Sequence, residues 1–380
     1  MSQERLRQAL RDAPVDDAGA RARSLRVVRA AFREAQPVRP RRRRAPVAAL
    51  AVIVACAAIA AAVGTPGDAV ARWVRDVLGA GREDARPALV RVPGGGRLLV
   101  SSPGGAWAVS AEGSRRRLGG YAGASWSPHG RFAVAWRGGE LWAVEPGGRV
   151  RWSLARPRRI TAARWGPVDG FRIAYLAGTG LRVVNGDGTG DRPLGRARAR
   201  VAPAWRPDDA HVLAYADGRD RVRVVAVDSG RELWRTGAVP GVRQLAWSPD
   251  GSRLLVATGE RVVLLGRSGR ALAQRRLVSD DVAWSPGGGR VAAVRRRGPR
   301  GEVVLADPAG RTRPRVLFTG PGRFGPVAWS PSGRRLLVPW PEADQWLFLD
   351  TGSGARTTAV ANIGRQFGRF PERVEWCCSS

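Results

Sequence analysis

The chain has 380 residues, of which 44% are hydrophobic and 25% charged, with 49 glycines and 27 prolines. Apolar runs of strand length recur throughout, which excludes a disordered polymer and suits an all-β protein rich in turns. The net charge is +32, and because no lysine occurs, all 64 basic residues are arginine. An excess of this size draws anionic partners, and lipid headgroups or wall polymers feel the same field as nucleic acid. The arginines are spread along the chain, not gathered in one run, and accompany abundant Ala, Gly, Pro and Val, as GC-rich coding also produces. Nucleic acid is therefore not the expected partner.

Residues 1–36 read as amphipathic helix, divided at Pro14. Leu6, Leu10, Leu25, Val28, Ala31, Phe32 and Ala35 fall at helical spacing among arginines. Such a segment suits a membrane surface or a partner helix, and it also suits a plain solvated helix. A basic block, Arg39 and Arg41 to Arg44, then precedes an uncharged run whose core is residues 45–64. Twenty residues span ~30 Å as a helix, so 45–64 reads as a transmembrane helix. Thirteen arginines precede it, and the positive-inside rule then puts residues 1–44 in the cytoplasm and the rest outside. The run is rich in alanine, and a cleaved signal peptide is the alternative. A second alternative is a lipoprotein acylated at Cys56, since Ile53-Val54-Ala55-Cys56 resembles a lipobox.

Thr65-Pro66 is a helix start, with threonine as N-cap and proline at the first helical position. Val70, Trp73, Val74, Val77 and Leu78 share one face, so residues 65–87 read as a juxtamembrane helix and linker.

Residues 88–380 are organised by a recurring element. It reads Trp126-Ser127-Pro128-His129-Gly130, Trp247-Ser248-Pro249-Asp250-Gly251, Trp284-Ser285-Pro286-Gly287-Gly288 and Trp329-Ser330-Pro331-Ser332-Gly333. Two worn copies are Trp165-Gly166-Pro167 with Gly170, and Trp205-Arg206-Pro207. The six tryptophans lie 39, 40, 42, 37 and 45 residues apart. A period near 40 with short strands between copies predicts a β-propeller with one four-stranded blade per repeat. Proline ends a strand because it has no N–H to donate, and glycine supplies the positive φ of a tight turn. The indole is then expected to pack between blades.

Pro93 to Val100 matches Pro249 to Val256, so a seventh repeat begins there with Arg91 at the tryptophan position. Seven starts predict seven blades, six or eight being the alternatives. The tail Arg373-Val374-Glu375-Trp376 resembles Leu245-Ala246-Trp247, and is expected to close the ring beside blade 1. Closure protects the sheet edges.

The run Trp247 to Leu255 resembles the WD40-like repeat of the TolB-type β-propellers, a resemblance covering roughly residues 88–360. It implies a bacterial propeller. TolB proteins carry a different amino-terminal domain, so a Tol-system role is not carried over. Asp228 to Trp234 and Glu145 to Trp152 resemble the Asp-x-x-Gly-x-x-x-Trp turn of quinoprotein-type propellers. That turn is mostly architectural in both classes, so no quinone is inferred.

Chemistry is sparse. No Gly-x-Ser-x-Gly, HExxH, CxxC or P-loop occurs. Asn185 to Asp191 spaces its oxygens like a calcium loop, but Arg196 stands where the bidentate Glu belongs, which favours a plain turn. His129 and His211 are too few for a histidine site. The three cysteines cannot form a disulfide framework, and pairing adjacent Cys377 and Cys378 is expected to be strained. No enzyme activity, cofactor or metal is expected. The expected partner is a protein, a peptide or an anionic envelope polymer, bound by a monomeric propeller. A membrane regulator is the alternative, since the layout resembles that of anti-sigma factors. Arg115 to Arg117, Arg156 with Arg158 and Arg159, and Arg295 to Arg297 could hold an anion if the fold put them on one rim.

Overall fold

The computed structural model describes residues 86–378, apart from 168–170, 210, 278, 280 and 354–355. The helical segment 1–44, the anchor 45–64, residues 65–85 of the juxtamembrane stretch and Gly170 lie outside the described residues. No helix among the described residues is long and apolar enough to cross a membrane.

Seven four-stranded antiparallel sheets form the blades of a closed β-propeller. Each blade begins with the strand that ends in the motif tryptophan. From blade 2 onward these strands are Gly123–Trp126, Ile160–Trp165, Ala204–Trp205, Gln244–Trp247, Asp281–Trp284 and Ala328–Trp329. Each touches the first strand of the next blade. The circuit is completed by Arg373–Cys377, which touches both Ala328–Trp329 of blade 7 and Gly123–Trp126 of blade 2.

The closing strand pairs antiparallel with Arg97–Ser102, setting Trp376 opposite Leu98 and Glu375 opposite Leu99. Trp247 lies opposite Leu254 in the same way. The tryptophan of blade 1 is therefore Trp376, supplied from the far end of the chain. Arg91 does not take that place, because it precedes Arg97–Ser102 through a turn and has no strand of its own. The amino-terminal side is fastened too. Arg86 bridges Val360 on the outer strand of blade 7, Leu89 donates its N–H to Gln366 Oε1 at 2.9 Å, and Val92 is fully buried.

The core lies between blades. Among the described residues, hydrophobic clusters each combine side chains of two neighbouring blades, as Val212, Ala214 and Val224 of blade 4 do with Leu245, Trp247 and Leu254 of blade 5. The second and third strands of a blade are buried on both faces, which is why they read as continuous apolar runs. The fourth strand is the rim and is polar: Ala271–Arg276 is largely exposed where Arg261–Gly266 is largely buried.

The Asp-x-x-Gly-x-x-x-Trp turns are also joints. Trp152 donates its indole N–H to Gly186 O at 2.7 Å in blade 3, and Trp234 donates to Arg267 O at 2.8 Å in blade 5. Each ring lies flat on a glycine of the neighbouring turn. A Cβ on Gly188 would stand 2.8 Å from Trp152, and one on Gly269 would stand 2.6 Å from Trp234.

Cys377 and Cys378, the adjacent pair whose bonding is expected to be strained, form a disulfide. Cys378 adopts the left-handed backbone conformation, φ 57°, and the two sulfurs pack on Gly130 of blade 2.

Candidate functional site

Strand direction alternates within a blade. The turns after the first and third strands therefore emerge at one end of the propeller, and the central hairpins and blade-to-blade connections emerge at the other. The motif turns lie at the first end. Gly130, Gly251, Gly288 and Gly333 all have φ between 61° and 67°, a region costly for residues with a Cβ. Pro128, Pro207, Pro249 and Pro286 face solvent, while Pro167 and Pro331 are partly covered. Gly288 sits over Pro249 and Gly333 over Pro286, so neighbouring turns stack around the ring. Asp250 accepts hydrogen bonds from the hydroxyls of Ser248 and Ser252.

Trp126, Trp165, Trp205, Trp247 and Trp329 are buried, and Trp284 is half-buried. Trp205, Trp284 and Trp329 each donate an indole N–H to the carbonyl just before the tryptophan of the preceding blade: Arg164, Ala246 and Ala283, all at 3.0 Å. Arg253 lies 5.0 Å above the Trp284 ring and Arg290 lies 6.0 Å above Trp329. The motif is thus the inter-blade joint. Its serine completes it: Ser127, Ser248, Ser285 and Ser330 each accept the N–H five residues on, at 3.0–3.1 Å. The recurrence of Ser in the four intact copies was the sequence signal for that role. In the worn copy, Arg206 replaces it and pairs with Asp208 and Asp209.

The central channel is a cavity of about 570 Å³. Arg164, Arg200, Arg243 and Arg373 line it with two carboxylates among the described residues, Asp281 and Glu375. Both acids hold the ring together. Glu375 accepts the Trp126 N–H at 2.8 Å and pairs with Arg164 at 3.4 Å, and Asp281 accepts the Val327 N–H at 2.9 Å. The Arg164 side chain keeps 29% exposure to channel water, yet protein surrounds it. Burial lowers its pKa, Glu375 opposes the shift and the Arg373 charge adds to it.

The arginine groups divide. Arg117, Arg156, Arg158, Arg159 and Arg297 lie at the hairpin end, with Arg115 at the motif end. Arg156 is already held by Asp191, and Arg295 by Glu302 at 2.7 Å. Sequence reading missed Arg137, Arg200, Arg243 and Arg373. The last three stand five, four and three residues before a motif tryptophan, a position that could have flagged them.

The calcium-like segment is a closed turn. Thr189 donates its N–H and hydroxyl to Asp187 Oδ1 at 2.9 and 2.7 Å, and Asp191 is taken up by Arg156, Arg182 and Tyr175. No group of three His, Cys, Asp or Glu among the described residues could hold a metal. His129 is exposed, and His211 is tied to Asp228.

This geometry defines a WD40-like propeller. The chain resembles the β-propeller domain of Cps50 (Swd1) from Myceliophteria thermophila, with a TM-score of 0.51 at 14% identity over 63% of this chain and 85% of that one. It also resembles a chain of the mitotic checkpoint complex, with a TM-score of 0.51 at 16% identity over 62% of this chain and 79% of that one. At such identity the likeness is one of fold. No protein-family model matches the chain, and no curated protein matches its sequence.

Proposed function

We propose that this chain is a non-enzymatic binding or scaffold module. Its propeller would be held outside the cytoplasmic membrane by residues 45–64. One observation carries the binding role. The acids of the channel are spent on holding blades together, as Glu375 holds Trp126 and Arg164, while Arg137, Arg159, Arg200, Arg243 and Arg373 at the hairpin end are exposed and outside any salt bridge among the described residues. Carboxylates whose oxygens are taken up by structural partners are not poised for proton transfer, whereas uncommitted charges around a channel mouth suit recognition.

The support for the anchor is the uncharged run 45–64 behind the arginine block. Alkaline phosphatase fused after Ser380 and assayed in whole cells tests it. High activity with an intact membrane-bound band retaining residues 1–44 is expected. An inactive fusion overturns the outward orientation, and a soluble band lacking residues 1–44 overturns the anchor.

The amphipathic spacing of residues 1–36 supports a second reading, a membrane regulator whose propeller senses outside while that segment binds a cytoplasmic partner. Deleting residues 1–36 should then abolish signalling and leave ligand binding by the propeller intact.

A further inference from the structure

Four cavities at the hairpin end run into one another. The channel shares Thr161 and Arg373 with a cavity of about 550 Å³ beside it. That cavity shares Ala122, Arg159 and Glu372 with one of about 420 Å³. The third shares Gly120, Tyr121 and Arg137 with a cavity of about 390 Å³ that ends at Trp142. The result is a continuous groove from the propeller axis outward over blades 1 and 2.

Its charge is one-sided. Arg137, Arg159, Arg200, Arg243 and Arg373 are exposed, and none forms a salt bridge or a side-chain hydrogen bond among the described residues. Elsewhere in the propeller, acids sit between arginines: Asp191 between Arg156 and Arg182, Asp217 between Arg221 and Arg223. Outside the channel the acids of the groove are Glu372 and Glu140, neither in a salt bridge among the described residues, while Asp281 and Glu375 in the channel are engaged by the Val327 N–H and by Arg164 with the Trp126 N–H.

We propose that this groove binds an extended acidic segment of a partner protein, running from Arg373 at the channel mouth to Trp142 at the outer end. The proposal rests on the binding-module reading and supplies its partner chemistry. An extended chain presents every second side chain to one side, which suits a row of guanidiniums along a groove. Guanidinium groups take carboxylates through paired N–H donors. Trp142, half-buried in the outermost cavity, offers apolar contact where the charge ends. A single-stranded nucleic acid would need open ring faces for its bases. Tyr121 and Trp136 are buried, at 9% and 5% exposure, and the half-buried Trp142, packed on Tyr121, is too little for a run of bases.

The test uses the full-length chain and a fluorescein-labelled octaglutamate, read by anisotropy in about 0.1 M salt, where exposed charges beyond ~10 Å are screened. The variant R137Q/R159Q/R200Q/R373Q should raise Kd at least ~10-fold, as loss of several charge-assisted contacts does. The variant R131Q/R231Q/R270Q/R313Q removes the same charge from exposed residues at the motif end, and should change Kd less than ~3-fold if position rather than net charge decides. Equal weakening by both variants overturns the proposal in favour of diffuse attraction, and indifference to both overturns it outright. Oligothymidylate or polyphosphate binding more tightly than the peptide, and lost in the first variant, would assign the groove to a phosphate polymer. All eight arginines are exposed and unpaired among the described residues, so unchanged Tm is expected and serves as the folding check. A natural partner retained equally by both variants would leave the binding module standing and remove this groove from it.

Discussion

Arg164 and Glu375 meet at 3.4 Å in the channel, joining blade 3 to the strand that closes blade 1. The same carboxylate accepts the Trp126 N–H, so one side chain ties together three blades. Glu375→Gln should cost about 2 kcal/mol, the scale of a charged hydrogen bond in a partly covered site, because it leaves Arg164 enclosed beside Arg373. Adding Arg164→Met should return part of that loss. A double-mutant cycle by denaturant unfolding measures the coupling, and strict additivity would mean the contact does not hold the ring.

Trp376 supplies the joint that blade 1 cannot make for itself. Its indole donates to Gly95 O at 2.8 Å and its ring meets Phe348 edge-on. Trp376→Ala should destabilise by about 3 kcal/mol, as truncation of large core aromatics does. Arg91→Trp should not restore the loss, since that residue lies off the inner ring. Thermal melts with limited proteolysis of the Arg97–Ser102 edge would show both effects.

Two glycines are required by packing. Gly188 and Gly269 have φ of 88° and 85° and lie beneath Trp152 and Trp234. Gly188→Ala and Gly269→Ala should each cost on the order of 2 kcal/mol, through clash and left-handed strain together. Gly287 has open space where its Cβ would go, so Gly287→Ala should stay within about 0.5 kcal/mol of wild type. Equal loss in all three would argue that the tryptophans do not rest on these turns.

Acid should loosen blade 4. Burial opposes ionisation of Asp217, but hydrogen bonds from the Arg223 side chain and the Arg221 and Arg219 N–H groups outweigh it, and its pKa falls from 3.8 to about 2. A depressed carboxylate stabilises the fold above its unfolded pKa, and that stability drains away as pH falls through the folded value. Asp217 is 12% exposed, so Asp217→Asn should cost about 2 kcal/mol at neutral pH. The gap from wild type should close between about pH 5 and pH 2. Urea midpoints across that range would check the sign, and a gap that persists at pH 2 would assign the loss to packing.

Much of the architecture was legible before any coordinates. Trp-Ser-Pro-x-Gly announces itself because each residue answers a local demand: an indole for the wedge, proline to stop the ladder, glycine for positive φ. The tail at Arg373 to Trp376 was readable as a closing strand by likeness to Leu245 to Trp247. Arg91 was misplaced because a repeat alignment counts positions along one chain, whereas blade 1 takes its tryptophan from the other end. That Cys377 and Cys378 pair was not legible either, because adjacency alone does not reveal that Cys378 adopts a left-handed backbone against Gly130.

The candidate site was far less legible. Periodicity and turn chemistry are short-range, so the sequence by itself determined the blades, their number and the joints between them. Whether Arg156 is neutralised while Arg159 is not, and whether Arg200 and Arg373 share one channel, depends on what lies beside each after the ring closes. A guanidinium looks the same in any arginine-rich sequence. Only the tertiary structure decides which ones have spent their charge on a neighbouring carboxylate and which still face water.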